Sequence, residues 1–398
     1  MNILFISIAW PAKNQRNLYT DLMDAFVADG HRVVVVGTTE EQDAIPVVKE
    51  ENAKLVLRVP SGKIRKASYV RKILSLFTLG PKMKSAIYNH LGNQQFDMIL
   101  GATPPITLSK LYLTLKRKYG APFYLMLKDI WPQGSVDLGV IRQGGPGWLY
   151  LRSHEVRLYK AANYIGCMSP RGKEYLLSKN KFLERSNVEV CPNSISPTPV
   201  KDLPGAGNIR KKYGIPENAC VFLFSGNLGI GHGLHFLVDV INSLRDYTGA
   251  YFIIGGAGTQ YNFLERKFAE DPPKNAFLYN WLPREDFEQI LMTSDVGLIL
   301  LYKYTSPQFP SRLLSYLDYS MPALCAINPE TDMGSIVENA ECGKYVHHGD
   351  KADFIKAVEY FSEHPEERRK MGSNGRNLLL REYTAEHSYQ IIAKHFTG

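Results

Sequence analysis

Residues 221–234 read VFLFSGNLGIGHGL, and residues 308–317 read QFPSRLLSYL. In both, a short loop carries the chain into the first turn of a helix, where unpaired backbone N–H groups and the helix dipole favour an anion. The second stretch adds Pro310 near the helix start, Ser311 as its cap and Arg312 as a cation in the opening turn. Two such seats in one α/β half point to a ligand with two phosphates.

Outward from these stretches, short apolar runs alternate with helical patterns along the chain, which predicts parallel sheets covered by helices on both faces. Strands are expected at 3–8, 32–36, 55–59, 98–101, 123–127, 164–168 and 188–191, then at 221–224, 251–254, 276–279, 296–300, 323–326 and 344–347. Residues 194–208, with three prolines and two glycines, break the pattern as an interdomain linker does. A chain of 398 residues is long for one core and comfortable for two. The expectation is an α/β protein of two doubly wound, Rossmann-like domains, 1–193 and 209–380, facing across a cleft. A last helix, 381–398, is expected to pack back on the first domain.

Ligands of such sheets bind at the carboxyl ends of the strands. The turn after the first strand, SIAWPAKNQRN at 7–17, contains no glycine, so it carries no dinucleotide fingerprint. Gly255, Gly256 and Gly258 match that fingerprint only in part and read equally well as a tight turn.

The net charge of +8 is unevenly shared: residues 1–190 hold 27 Lys and Arg against 15 Asp and Glu, and residues 191–398 hold 20 against 24. The halves are therefore +12 and −4. The densest basic stretch, 58–84, has eight cations and no acid, with Val70, Ile73, Leu74 and Phe77 at helical spacing. Such a helix can lie on an anionic bilayer, each nearby cation contributing about 1 kcal/mol, with Arg65, Lys66, Arg71 and Lys72 as the contacts. The alternative is a core-facing helix with a solvated basic rim. A nucleic-acid partner is not expected, because no basic–aromatic readout module or zinc spacing accompanies the charge. The five cysteines are scattered, form no CxxC pair and read as reduced packing residues of a cytosolic protein. No eighteen-residue apolar span exists and MNILFISIAW has no basic n-region, so neither a membrane span nor a secretory signal is expected.

The order and spacing of these motifs resemble glycosyltransferase family 4, retaining nucleotide-sugar enzymes of GT-B fold. The resemblance runs from Gly30-His31-Arg32-Val33 through Val190-Cys191-Pro192-Asn193-Ser194 to SGNLGIGHGL, FIIGGAG, YNWLPREDF, SDVGLILL and FPSRLLSYLDYSMPAL. Within the family, ATPPI at 102–106 and KDIWPQGSVDLGVI at 128–141 resemble a subgroup that builds bacterial surface polysaccharides, L-fucosamine transferases among them. The resemblance implies transfer of an N-acetylated amino or deoxy sugar from a UDP-sugar to a polyprenyl-diphosphate-linked saccharide of capsule, O-antigen or exopolysaccharide. It implies a peripheral place on the cytoplasmic face of the membrane, no cofactor and no metal.

Carried onto this chain, it implies a nucleotide-sugar site of Gly226, Asn227, Gly229, His232, Gly256, Trp281, Leu282, Lys303, Phe309, Pro310, Ser311, Arg312, Leu313 and Ser315. Trp10, Arg16 and Trp131 fall to the acceptor or cleft side, and Asp129 and Arg312 are the catalytic candidates. Several positions depart from the family pattern. Asn227 and His232 stand where many members carry Arg and Lys, Pro307 and Ser315 where two glutamates are usual, and Lys13 to Arg16 where a glycine pair is usual. Arg312, with Lys303 or Arg16, is left as the main cationic partner for phosphate.

Sugar transfer needs stabilisation of the charge building on the departing phosphate more than it needs a strong base. The planar fork of Arg312 can meet two phosphate oxygens. In a retaining reaction resembling the family's, the donor phosphate oxygen takes the acceptor's proton and no carboxylate nucleophile is required. Asp129, directly after the run 123–127, either orients a hydroxyl or caps the next turn. Trp131 stacks on a sugar or fills the domain wall, and Trp281 meets the base or enters the core. No metal-ligand spacing is present. Two other readings remain at this level: a noncatalytic GT-B partner of another transferase, and a sugar-nucleotide epimerase.

Overall fold

The computed structural model describes residues 1–13, 15–41, 45–62, 69–199, 208–302 and 304–396, with the backbone alone over 69–76. Arg65, Lys66 and Lys303 lie outside the described residues, as do the side chains of Arg71 and Lys72. The chain divides into two units, Met1–Ser196 with Thr384–Gly398, and Pro197–Tyr383.

In the first unit the strands are β1 (Asn2–Ile6), β2 (Arg32–Thr39), β3 (Val47–Glu51), β4 (Lys54–Pro60), β5 (Met98–Ala102), β6 (Phe123–Leu127), β7 (Tyr164–Cys167) and β8 (Val188–Val190). They form one sheet in the order β3-β4-β2-β1-β5-β6-β7-β8, parallel except for β3 against β4. Buried on both faces, most of these strands are continuous apolar runs, and that is why they stand out in the sequence. β3 is the exception. Its VVKEE leaves only Glu51 buried, and it pairs with β4 through a two-residue turn at Asn52 and Ala53, both with positive φ.

The second unit holds β9 (Cys220–Asn227), β10 (Ala250–Ala257), β11 (Ala276–Tyr279), β12 (Val296–Leu300), β13 (Ala323–Ile327) and β14 (Gly343–His347). Their order is β11-β10-β9-β12-β13-β14, all parallel. Strand order reverses between β9 and β12, and a crevice for ligands opens beyond the carboxyl ends at such a switch point. The two stretches read first in the sequence both leave the sheet here or just after it.

The boundaries differ from those expected. The chain leaves the first unit after Ser196, within the expected linker, and residues 194–196 belong to the first unit. The helix Pro365–Glu382 runs past position 381, and the last helix, Ala385–Ala393, starts only after the chain has returned to the first unit at Thr384. There Tyr389 sits edge-on to Phe26 at 4.8 Å, its hydroxyl reaches Asp29, and His31 Nε2 lies 3.1 Å from that hydroxyl. All five cysteines are free and buried. Among the described residues, no helix is long and apolar enough to cross a membrane.

Candidate functional site

β9 carries its apolar run, Val221 to Phe224, into the sheet centre and then pairs with β10 to its very end, Gly226 opposite Gly256 and Asn227 opposite Ala257. Both glycines have positive φ, +111° and +124°. A Cβ at Gly256 would lie 1.9 Å from the Gly226 carbonyl oxygen, so this glycine is required by the close approach of two strands. Beyond Asn227 the chain makes a short 3-10 turn at Ile230–His232 and enters the helix Leu234–Ser243 through Gly233, whose φ is +59°. The Tyr304 ring covers Gly231, where a Cβ would meet its hydroxyl at 2.3 Å.

The second stretch forms the helix Arg312–Asp318, only seven residues long. The capping role expected of Ser311 is absent: its backbone is already helical, with φ −64° and ψ −14°, and its side chain caps no N–H. A capping residue needs extended φ and ψ to swing its oxygen onto the second or third amide. The short helix also carries little dipole, so the positive element here is the guanidinium of Arg312.

That guanidinium joins the two stretches. Arg312 Nη2 donates to the Asn227 carbonyl oxygen at 3.3 Å and lies 3.3 Å from His232 Nε2, and the guanidinium carbon sits 4.0 Å over the Phe224 ring. His232 Nδ1 is 2.9 Å from the Leu300 carbonyl oxygen at the end of β12. Arg312 Nη1 is buried and has no hydrogen-bond partner among the described residues. Burial lowers the Arg312 pKa, and burial together with the Arg312 charge pulls the His232 imidazole down to about 4.

Other residues singled out in the sequence fall around this point in different ways. Leu313 and Phe309 are core side chains, Phe309 stacked on Tyr383 at 5.8 Å, while Pro310 and Leu282 are half-buried and Ser315 is exposed. Trp281, rather than entering the core, is 77% exposed after β11. The Asn227 side chain lies beside Gly229, 3.1 Å from where a Cβ would stand.

In the first unit Asp129 follows β6 and is exposed. Its position is set by Thr103: the Thr103 hydroxyl accepts from Lys128 N at 2.9 Å and Asp129 N at 3.3 Å, and donates to the Asp129 carbonyl at 3.2 Å. Asp129 still reaches solvent, but the protein packed around its carboxyl removes part of its hydration and pushes its pKa up against the opposing pull of Lys128, and the same loss of hydration brings the Lys128 ammonium down to about 8. Thr103→Val removes a hydroxyl that serves three backbone groups. We expect a loss of about 1–3 kcal/mol by thermal or denaturant unfolding, with Thr103→Ser close to the parent protein.

Trp10 is buried against Phe5 and Gly37 and forms one wall of a recess of about 970 Å³ shared with Lys13, Gln15, Asn17, Glu51 and Arg58. Arg16 pairs with Asp21 at 3.0 Å and reaches the Ser196 carbonyl at 3.4 Å. Trp131 is half-buried against the first-unit core. Among the described residues, no three or more His, Cys, Asp or Glu side chains group as metal ligands.

Comparison with known proteins fits both halves of this arrangement. The family described as Glycosyl transferases group 1 matches residues 206–378, and Glycosyltransferase Family 4 matches residues 16–198. The chain belongs to the family 4 glycosyltransferases. Among its relatives, WbjE of Pseudomonas aeruginosa, named as a probable glycosyltransferase, is 23% identical over 62% of this chain and 61% of its own length. The chain thus spans somewhat under two thirds of that relative. WcaI of Escherichia coli K12, named as a colanic acid biosynthesis glycosyl transferase, is 22% identical over 80% of this chain and 81% of its own length. A solved structure described as trehalose-6-phosphate from E. coli bound with UDP-2-fluoro glucose superposes with a TM-score of 0.74 at 11% identity, covering 100% of this chain and 99% of that one. The fold is GT-B.

In this glycosyltransferase three contributors escape a reading of the sequence, two around Arg312 in the second unit and one beside Asp129 in the first. Phe224 looks like strand core, the Leu300 carbonyl carries no sequence signal, and Thr103 is visible only as part of ATPPI.

Proposed function

We propose that the chain transfers a sugar, with retention, from a UDP-sugar held by the second unit to a polyprenyl-diphosphate-linked saccharide held by the first, in the assembly of a bacterial surface polysaccharide. The observation that carries this reading is Arg312 Nη1, a buried charged donor without a partner among the described residues, beside the turn after β9. Such a group costs about 1–3 kcal/mol or more until an anion meets it, and a diphosphate supplies that anion. The UDP-2-fluoro glucose of the solved relative and the colanic acid name of WcaI support the donor and product classes. The acceptor hydroxyl attacks the anomeric carbon as the bond from that carbon to the diphosphate breaks, and the leaving phosphate oxygen takes the hydroxyl proton. Arg312 stabilises the charge that develops, Asp129 orients the acceptor, and no metal ion or cofactor takes part. The sugar is an N-acetylated amino or deoxy sugar.

The test is to incubate the protein with nucleotide-sugars and membrane extracts rich in lipid-linked glycans and to read mass changes. Transfer from a UDP-sugar is the expected result. Absence of UDP affinity by calorimetry would point instead to a noncatalytic partner, and interconversion of UDP-sugars without acceptor to an epimerase.

The lipid-linked acceptor places the first unit against the anionic cytoplasmic face of the membrane. Exposed Phe77 on the helix Tyr69–Leu91 lies 5.3 Å from the ring of exposed Tyr150, next to exposed Leu149, and Lys82 and Lys84 are exposed on the same helix. Aromatic rings beside lysines suit the interface of an anionic bilayer. Phe77→Asp with Tyr150→Asp should weaken sedimentation with phosphatidylglycerol vesicles by about tenfold or more, at roughly 1.5–3 kcal/mol per buried aromatic side chain, with donor binding unchanged.

A further inference from the structure

The ring of His232 stands between the Leu300 carbonyl, 2.9 Å from Nδ1, and Arg312 Nη2, 3.3 Å from Nε2. A carbonyl oxygen only accepts, so Nδ1 carries the proton and the neutral ring offers Nε2 as an acceptor. Arg312 Nη2 therefore has two acceptors at 3.3 Å, this nitrogen and the Asn227 carbonyl. Phe224 fixes the pair from one side, 4.0 Å from the guanidinium carbon and 5.5 Å from the imidazole, which it meets edge to face. One arm of the fork is thus fully engaged with protein, and the other, Nη1, is buried without a protein partner among the described residues.

We infer that His232 is a positioning residue for transfer: a neutral acceptor, locked in its Nδ1–H form by Leu300, that turns the Arg312 fork so that Nη1 is kept for the donor diphosphate. The inference rests on the diphosphate reading of Arg312 and adds to it. With a Lys at 232 the site would hold a second cation for phosphate. With His it holds one cation and a device that aims it, which explains how a chain lacking Arg at 227 and Lys at 232 can keep a phosphate site. Gln is the side chain that reproduces both bonds, an amide N–H for Leu300 and an amide oxygen for Arg312, whereas Leu fills similar space and makes neither.

The test uses the full chain and a UDP-sugar that supports transfer. His232→Leu is expected to lower kcat/KM by about 10- to 100-fold with the unfolding midpoint retained, and His232→Gln to recover most of that loss. On an Arg312→Ala background His232→Leu is expected to add nothing, since the two groups act as one unit. Full activity in His232→Leu, failure of Gln to recover more than Leu, or additive losses in the double variant would each overturn the positioning role. Should His232→Leu not fold, nitrogen-15 NMR of the parent protein decides: a proton on Nδ1 across pH 6–8 supports the role, and an Nε2–H ring or an imidazolium overturns it. The two claims fail separately. An Arg312→Ala variant with unchanged UDP affinity refutes the diphosphate reading, whereas a defective Arg312→Ala beside a normal His232→Leu refutes only the aiming.

Discussion

Arg312→Met is expected to reduce kcat/KM for the UDP-sugar by about 100- to 1000-fold, the usual loss when one preorganised donor to a developing oxyanion is removed, without lowering the stability of the second unit by more than about 1 kcal/mol. The two parts of this expectation have different origins. The activity loss follows from Nη1, whose two N–H groups have no partner among the described residues and gain their full worth only when phosphate charge develops beside them. The stability result follows from offsetting terms. The substitution gives up two long hydrogen bonds at 3.3 Å and a stack on Phe224, contributions of about 0.5–1.5 kcal/mol each. It also removes a buried charged donor left unsatisfied in the free protein, a relief of about 1–3 kcal/mol, and Met fills the vacated space. Arg312→Lys keeps the charge but loses the fork, so it should fall between the two. Steady-state kinetics, UDP calorimetry and denaturant unfolding on the same preparations check all three; turnover that survives Arg312→Met would remove Arg312 from the reaction.

How far this site is legible in the sequence depends on how local each piece is. The strands are legible because buried parallel strands are short unbroken apolar runs, and β6, FYLML, is one with every residue buried. β3 escapes because VVKEE lies at the sheet edge with one buried residue. Arg312 is legible as a cation at a helix start, and Asn227 and His232 as members of the same site, but the bonds among them and the Phe224 stack are not, because only the folded sheet brings the ends of β9 and β12 together. Ser311 illustrates the opposite hazard. A serine just before a helix looks like a cap, yet whether it caps depends on its own φ and ψ, which the residue type does not determine. Motif membership leaves a third ambiguity, since Phe309 and Leu313 lie within the segment that resembles a ligand motif and their side chains are buried. For Trp281 composition alone would suggest burial, but a position after an edge strand leaves the ring in solvent.

Gly256→Ala should be far more damaging than Gly226→Ala, although both glycines have positive φ, face one another across β9 and β10, and each stands one residue before the end of its strand. At Gly226 an added methyl meets nothing within 4 Å, so the cost is the backbone conformation alone, about 1–2 kcal/mol. At Gly256 the same methyl would sit 1.9 Å from the Gly226 carbonyl oxygen and 2.8 Å from its carbon. These are backbone atoms of a central strand, and no rotamer change moves them. The strands would have to part, which takes with it the bonds that close the loop, Leu228 N to the Ala257 carbonyl at 3.0 Å and Gln260 N to the Leu228 carbonyl at 2.9 Å. A loss of about 4 kcal/mol or more is expected, and the second unit should melt roughly 10 °C lower. Function should follow stability here, because Asn227, whose carbonyl accepts from Arg312, is the next residue after Gly226. Any parting of β9 from β10 displaces that acceptor, so below its melting point Gly256→Ala should still bind UDP more weakly than the parent. Equal melting points for the two alanine variants would mean that the strand ends can separate without penalty, and the tight glycine pair would then have no part in placing Asn227.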